Sequence, residues 1–325
     1  GAGPIQRLAT FFHDVVYYSI DGGLNRCQQE LLHDIITEEN DIVKITENEL
    51  DQNISMTMDI FGFKNGQKLD PFKGLNEFLS ACAAVRCYES SMEMPMLAKI
   101  AACIETTIPF RARDAQGNTP EEALFKRLEQ VNLKYGLGMN EAEIVKDVQR
   151  AADLANRDLD NFSIADRAVF LSNTWNLLPE SNINLRNTAV FRVSDFALAL
   201  KKMTGFFEFL DPESIYMSFR DEESEAIVRK KTEAARENIE MAGKYMRCKG
   251  LAVAMISSLA ELTGGDAPIS LFLGDLPDHR FHTTGIDDII DPDYEAAPGV
   301  EIDSRVLRLL RDGRESESSF DQRKS

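Results

Sequence analysis

Apolar residues recur at intervals of three and four along most of this chain, and this spacing predicts amphipathic helices. In the segment 95–107, for example, Leu97, Ala101 and Ile104 fall on one helical face. Alternation of the kind found in strands is scarce, so the sequence predicts an all-α fold with a bundle-like core. Helices are predicted over residues 25–38, 74–87, 95–107, 119–135, 141–156, 194–210 and 222–247, and the apolar segment 251–262 is expected to be buried.

The stretch between residues 38 and 73 departs from this pattern. Partial alternation from Ile54 to Phe63, ahead of Asn65 and Gly66, predicts either a small hairpin or a loop over a site.

Three regions are expected along the chain. They are a site-bearing region at 1–162, a helical extension at 163–264, and an acidic, partly irregular segment at 265–325.

The apolar run from Thr10 to Tyr18 is interrupted by His13 and Asp14, two adjacent side chains that are costly to bury. A metal ion shared between them would resolve that cost. Local hydrogen bonds and a salt bridge would resolve it equally well, so both interpretations stay open. His33 and Asp34 repeat the dipeptide among polar neighbours, which favours an exposed pair without a metal.

The segment from Phe12 to Tyr17, followed by Asp21, Gly22 and Gly23, resembles the core motif of the HD-superfamily metal-dependent phosphohydrolases. A later segment, Ala155 to Leu159, resembles the part of that family in which an aspartate completes the metal site. The resemblance implies an HD-domain-like helical core and a metal site formed by His13, Asp14 and Asp158. It covers about the first half of the chain, and its motifs are short.

Two departures from the family pattern concern the same site. Only twelve residues precede His13 and none is a histidine, so either an N-terminal helix is missing or the metal site is incomplete. The helix that would carry a further histidine has Glu105 instead. Glu105 is therefore a candidate base or supporting metal ligand, or else it pairs with Arg111 or Arg113. Those two arginines are candidates for binding a substrate phosphate.

Charge and cysteine content narrow the possible partners and location. Acidic residues number 54 against 36 basic ones, giving a net charge of −18. This charge argues against nucleic acid and against anionic membrane surfaces as partners. Five cysteines without paired spacing predict reduced thiols and a cytoplasmic protein. No apolar run is long enough to span a bilayer.

The expected function is a divalent-metal-dependent phosphohydrolase acting on a phosphate ester such as a nucleotide. Asp14 and Glu105 are the candidate catalytic residues, Arg111 and Arg113 the substrate-binding ones, and Mn, Fe, Zn or Mg the candidate metal. The alternative is a degenerate HD-like protein that binds a ligand or partner without turnover. A homo-oligomer is possible in either case, and His279 with His282 is a weaker metal candidate.

Overall fold

The computed structural model describes residues 3–39, 42–185 and 191–269, together with positions 271, 298, 306 and 309. Helices dominate these residues, which confirms the predicted all-α fold class. His279 and His282 lie outside the described residues. The helices are α1 (Pro4–Phe12), α2 (Tyr18–Asp21), α3 (Arg26–Leu32), α4 (Gln52–Phe61), α5 (Leu75–Tyr88), α6 (Met94–Thr106), α7 (Pro120–Tyr135), α8 (Glu141–Asp158), α9 (Arg167–Asn176), α10 (Val193–Phe209) and α11 (Glu222–Thr263).

The sheet found among the described residues is a single antiparallel pair, β1 (Ile36–Glu39) and β2 (Ile42–Ile45). The helix predicted over 25–38 is therefore wrong at its C-terminal end, because it stops at Leu32 and the chain turns into β1. Ile35, just before β1, and Ile45, the last residue of β2, are both fully buried. The β-branched residues at the end of the predicted helix are better accommodated in a strand, and tertiary burial decided the outcome.

The segment predicted as a hairpin or a loop from Ile54 onwards is a helix, α4. The side chain of Asp51 caps it by accepting hydrogen bonds from the backbone N–H groups of Asn53 (2.9 Å) and Ile54 (3.1 Å). Gly62 ends it in the left-handed conformation, with φ of +70°. The capping signals therefore outweigh the short stretch of alternation.

The core of the first half is organised around α6, which contacts α1, α4, α5, α7 and α8. Its residues from Leu97 to Thr106 are buried with the exception of Lys99, so this helix is apolar on nearly every side. Such a helix belongs at the centre of a bundle. The neighbouring α5 is similarly buried over most of its length.

Reciprocal N-terminal capping accounts for the accurate prediction of α7 and α8. Thr119 and Glu122 form a capping box at the start of α7, and Asn140 and Glu143 form one at the start of α8. Gly136, with φ of +64°, terminates α7 between them. Helix α8 ends at Asp158, where the backbone N–H of Leu159 donates to the carbonyl of Ala155 (3.2 Å).

The chain divides into two compact units. The first comprises the described parts of Gly1–Asp160 and Asp211–Thr232, and the second those of Asn161–Leu210 and Glu233–Ser325. In the second unit the ring of Trp175 packs against Phe196 and Tyr245. The helix predicted over 222–247 continues through 251–262 as α11. The expected burial of 251–262 is wrong, because one face of the helix is open to solvent, with Leu251 67% and Leu262 83% exposed. None of the helices in the described parts combines the length and the apolar character that a bilayer crossing requires.

Candidate functional site

His13 lies where α1 ends and the chain turns towards α2. Its backbone N–H still donates to the carbonyl of Ala9 (2.9 Å), so it is the last residue anchored to the helix. Its ring nitrogen Nδ1 lies 2.8 Å from the carbonyl oxygen of Thr10. With Nδ1 held as the donor of this bond, the other ring nitrogen, Nε2, points away from the helix. Helix α1 therefore ends at the His-Asp pair.

The turn that follows is held in place by buried polar side chains of neighbouring helices. On α5, the hydroxyl of Ser80 accepts from the backbone N–H of Val16 (3.0 Å), and Asn76 accepts from that of Tyr18 (3.0 Å). Gln28 on α3 donates to the carbonyl of Val15 (2.7 Å). These bonds satisfy backbone groups that would otherwise be unpaired in a partly buried turn. They also limit the positions that His13 and Asp14 can adopt.

Three residues singled out from the sequence meet at this turn. The Nε2 atom of His13 lies 3.1 Å from Asp14 Oδ2 and 3.2 Å from Asp158 Oδ1, the latter brought in by the end of α8. The His13 side chain is 15% exposed, against 66% for Asp14 and 40% for Asp158. We call these residues the His13 triad. It is a mostly buried imidazole with two carboxylates that solvent reaches.

The electrostatics of the triad favour a charged imidazole. Hydrogen bonds to Asp14 and then to Asp158 raise the pKa of His13 to about 10, against the opposing effect of partial burial. At neutral pH the ring is therefore an imidazolium shared by two carboxylates. A metal ion binding at Nε2 would first have to displace this proton.

The donor atoms of the triad suit a divalent cation in type and in spacing. Ligands bonded to one octahedral ion at about 2.1 Å lie about 3.0 Å apart when they are adjacent, close to the separations of 3.1 and 3.2 Å seen here. The bond from Nδ1 to a backbone carbonyl is the usual support for a metal-binding histidine. Across the described residues, however, no three His, Cys, Asp or Glu side chains form a ready metal-binding group. A cation would therefore have to rearrange the two carboxylates as well as replace the proton.

Glu105 is placed in a different environment from the one a base or metal ligand requires. Its carboxylate is 1% exposed and accepts from Nη1 and Nη2 of Arg111 at 2.6 and 3.3 Å. Arg127 binds the same carboxylate and also donates to the carbonyl of Ile60 (2.6 Å). Of the two alternatives open from the sequence, the structure shows the ion pair. We call Glu105, Arg111 and Arg127 the Glu105 cluster.

The two arginines expected to bind phosphate lie in different environments. Arg111 uses both terminal nitrogens on Glu105, so a phosphate would have to break a buried ion pair to reach them. Arg113 is 66% exposed and donates to the carbonyl of Gly117 (2.9 Å), with Glu122 at 4.0 Å. Sequence reasoning missed Arg127, whose distance of 22 residues from Glu105 gives no local signal.

A further carboxylate near the triad, Glu77 on α5, was also missed. Burial raises its pKa to about 7; the charge of Asp14 raises it further, whereas its own backbone N–H, Arg111 and His13 lower it. Its Oε2 atom is buried and has no hydrogen-bond partner. A single glutamate inside the apolar run from Leu75 to Val85 was the available signal.

The second His-Asp dipeptide has a local arrangement of its own. His33 follows the end of α3, where Nδ1 lies 3.1 Å from the carbonyl of Glu30, and Asp34 accepts from Arg86 (2.7 Å). Both residues are exposed. This pair therefore supplies a natural comparison for the His13 triad.

Comparison of this chain with models of protein families, with curated proteins and with solved structures finds no match.

Proposed function

We propose that the chain is a divalent-metal-dependent phosphohydrolase of the HD type, acting on a phosphate ester, with nucleotides as the first class to test. The observation that carries this proposal is the meeting of His13 and Asp158. They are 145 positions apart in sequence, yet their side chains approach to 3.2 Å. The family resemblance was based on short sequence segments and not on distances in space. The proximity of His13 and Asp158 therefore supports that resemblance independently.

Each residue of the triad has a distinct part in the proposed reaction. The bond between Nδ1 of His13 and Thr10 orients Nε2 towards the metal position, and Asp14 and Asp158 supply the negative charge. When bound, a divalent cation would polarise a phosphoryl oxygen and lower the pKa of a bound water. Attack of that water would form one bond to phosphorus and break the bond to the ester oxygen, and the leaving oxygen would take up a proton from solvent to depart as the alcohol. Asp14, the most exposed carboxylate, is the proposed acceptor of the water proton.

Glu105 is left out of this mechanism. Both oxygens of the Glu105 carboxylate already accept hydrogen bonds from guanidinium groups, and the side chain is 1% exposed, so neither oxygen is open to a water or a metal. The phosphate clamp from Arg111 is left out for the same reason. Arg113 keeps its proposed role as a substrate-binding residue, since its side chain is mostly exposed.

The proposal is tested by measuring metal binding and phosphate release in the same samples. Protein freed of metal is titrated with Mn²⁺, Fe²⁺, Zn²⁺ and Mg²⁺ by calorimetry, and each sample is assayed with p-nitrophenyl phosphate and nucleoside monophosphates. We expect at least one cation to bind and to support phosphate release. Asp14→Asn and Asp158→Asn should lower metal affinity by about tenfold or more and reduce turnover with it.

Asp34→Asn is the matched control because it makes the same change in the other His-Asp dipeptide. It should leave metal affinity and turnover unaltered. The proposal fails if none of the four cations binds, or if Asp34→Asn and Asp158→Asn reduce activity equally.

A second function is favoured by a specific observation. The imidazolium of His13 already balances part of the charge of the two carboxylates, and no ready metal-binding group is found in the described part of the chain. This favours a degenerate HD-like protein that binds a ligand or partner without turnover. Metal-independent ligand binding with no phosphate release under any cation would select this function over the first.

The remaining expectations belong to the same proposal. A cytoplasmic location is supported by five cysteines that are all free, of which Cys27, Cys87 and Cys248 are exposed. The proposed substrate is a small phosphorylated molecule, with no nucleic acid as partner because of the net charge. Assembly into a homo-oligomer stays a prediction.

A further inference from the structure

The last third of α11 differs from the rest of that helix in the chemistry of its exposed side. From Gly250 to Ala260 the chain has no charged residue, whereas the first half of the helix is rich in glutamate, lysine and arginine. One side of this part is buried through Val253 and Ile256. On the other side four large apolar side chains are exposed to solvent, by 67%, 64%, 51% and 83%, namely Leu251, Met255, Leu259 and Leu262.

These four side chains form one continuous stripe, which we call the Leu251 stripe. Their spacing of four, four and three residues keeps them within about 80° of one another around the helix, at about 3.6 residues per turn. The same spacing forms the buried seam when two helices pack along each other. A contiguous apolar surface of this kind is typical of an interaction site.

Two other occupants fit the stripe poorly. In the C-terminal segment Val306 and Leu309 are 4% and 0% exposed, and the stripe is open to solvent in their presence. Helices that lie on a membrane surface carry lysine and arginine along their polar side. Residues 250–262 contain no basic residue, and the chain has a net charge of −18.

The stripe is complementary to itself when two copies of the helix run antiparallel. Leu251 and Leu259 are each four residues from Met255. With Met255 of both copies at a two-fold axis, Leu251 of one copy therefore lies opposite Leu259 of the other. Leu262 lies opposite the exposed Cys248. A two-fold interface needs a pattern that matches itself in this way.

The charges at the two ends of the stripe are opposite in sign. Arg247 precedes it and Glu261 follows it, both exposed and on the same flank of the helix. Antiparallel pairing brings Arg247 of one copy towards Glu261 of the other, whereas parallel pairing would bring like charges together. Within its own copy Arg247 lies 3.4 Å from Glu208, in an exposed pair that solvent can replace.

We infer that the Leu251 stripe is the contact surface of an antiparallel homodimer, in which α11 of one copy packs along α11 of a second copy. Full burial of the stripe in both copies removes roughly 1,000 Å² of accessible surface, which is at the small end of specific interfaces. The dimer is therefore weak, with a dissociation constant of about 1 to 100 μM.

This inference does not depend on the metal site. None of the residues of the stripe belongs to the His13 triad, and no cation takes part in the contact. Loss of metal binding would leave dimerisation intact, and the reverse also holds. The two proposals can therefore fail separately.

The first test is sedimentation equilibrium with EDTA present, at about 1 to 300 μM protein and about 0.15 M salt to screen the net charge. We expect a reversible equilibrium between monomer and dimer. Met255→Glu places two carboxylates against each other at the axis and should weaken the dimer by about tenfold or more. Leu133→Glu is the matched control, since this leucine of α7 is 83% exposed and lies outside the stripe. It should leave the dissociation constant unchanged.

A charge exchange tests whether the partner is a second copy. Arg247→Glu and Glu261→Arg should each weaken the dimer by about threefold. The variant that carries both changes should regain the affinity of the wild type, because the pair forms again across the axis with its signs reversed. Recovery in the double variant also shows that the weaker dimers of the single variants are not caused by misfolding.

Three outcomes would overturn the inference. The first is a protein that stays monomeric at the highest concentration, which would leave the stripe to a different protein or to residues 270–325. The second is an equal effect of Met255→Glu and Leu133→Glu. The third is a double variant that dimerises no better than Arg247→Glu or Glu261→Arg alone.

Discussion

In the His13 triad two carboxylates surround one cation, whereas in the Glu105 cluster two cations surround one carboxylate. The carboxylates of the triad are 66% and 40% exposed, and the carboxylate of the cluster is 1% exposed. A charge that water can reach is able to exchange its partner for a proton, a metal or a ligand. A buried charge keeps its partner, because separating them would leave it unsolvated. The comparison therefore indicates that the His13 triad can exchange its proton for a metal or a ligand, whereas the Glu105 cluster has a structural role.

The largest effect is expected from Glu105→Gln. This change leaves the partly buried Arg111 and Arg127 without their counter-charge, and we expect a loss of about 3 kcal/mol in the free energy of unfolding. Urea denaturation followed by circular dichroism measures it. Glu30→Gln is the control, since it breaks an exposed ion pair with Arg26 and should change stability little. Equal effects of the two changes would contradict the structural role of the cluster.

Asp158→Asn should have a smaller effect on stability and a larger one on metal response. We expect a loss of about 1 to 2 kcal/mol, because one charge-assisted hydrogen bond to His13 is weakened. If the triad holds a cation, EDTA will lower the melting temperature of the wild type but not that of the variant. A wild type unaffected by EDTA, with a variant destabilised equally in both buffers, would show that the triad is an ion cluster without a metal.

In protein freed of metal, the pH dependence of stability tests whether His13 is charged in the triad. The folded pKa of His13 is about 10, above the ordinary value of 6.5. The folded state therefore binds more protons than the unfolded state between these values, and stability falls as pH rises through that interval. The contribution is complete below pH 6.5. We expect it to be about 1 kcal/mol, since solvent reaches both carboxylates.

Comparison of the wild type with His13→Gln from pH 6 to pH 10 isolates this contribution. The stability difference between the two proteins should shrink as pH rises. His33→Gln is the control and should parallel the wild type. A His13 ring that titrates near its ordinary pKa in an NMR experiment would contradict the predicted charge state of the triad.

The smallest effect on stability is expected from Glu77→Gln. Unlike the preceding substitutions, this one should not destabilise the protein above pH 7. The folded pKa of Glu77 is about 7, above the ordinary 4.5, so the folded state binds more protons between these values. Ionisation of Glu77 therefore lowers the stability of the wild type as pH rises from 4.5 to 7. Glu77→Gln removes this loss, and we expect the variant to match or exceed the wild type above pH 7. A variant that is less stable at pH 8 than at pH 5, relative to the wild type, would contradict burial as the dominant influence.

Part of the candidate site could be anticipated from residues alone. His13 and Asp14 are identifiable as candidate site residues because they interrupt an apolar run. Asp158 is added by a resemblance to a family motif. The pairing of Glu105 with Arg111 was one of two open alternatives. Arg127 and Glu77 could not be assigned, since their roles depend on the packing of α7 and α5 against the rest of the bundle. Side chains that are distant in sequence give no local pattern of their proximity.

The sequence by itself determined the all-α class and the bounds of α5, α6, α7 and α8 to within two residues. The physical reason is that helical periodicity, capping boxes and left-handed glycines act within a few residues of each other. Tertiary structure alone decided that the chain after Leu32 forms β1, because burial of Ile35 and pairing with β2 outweigh the local helical pattern. It also decided which carboxylates are exposed and which are buried. That distinction separates the His13 triad from the Glu105 cluster, and it depends on packing between elements that no local stretch of sequence encodes.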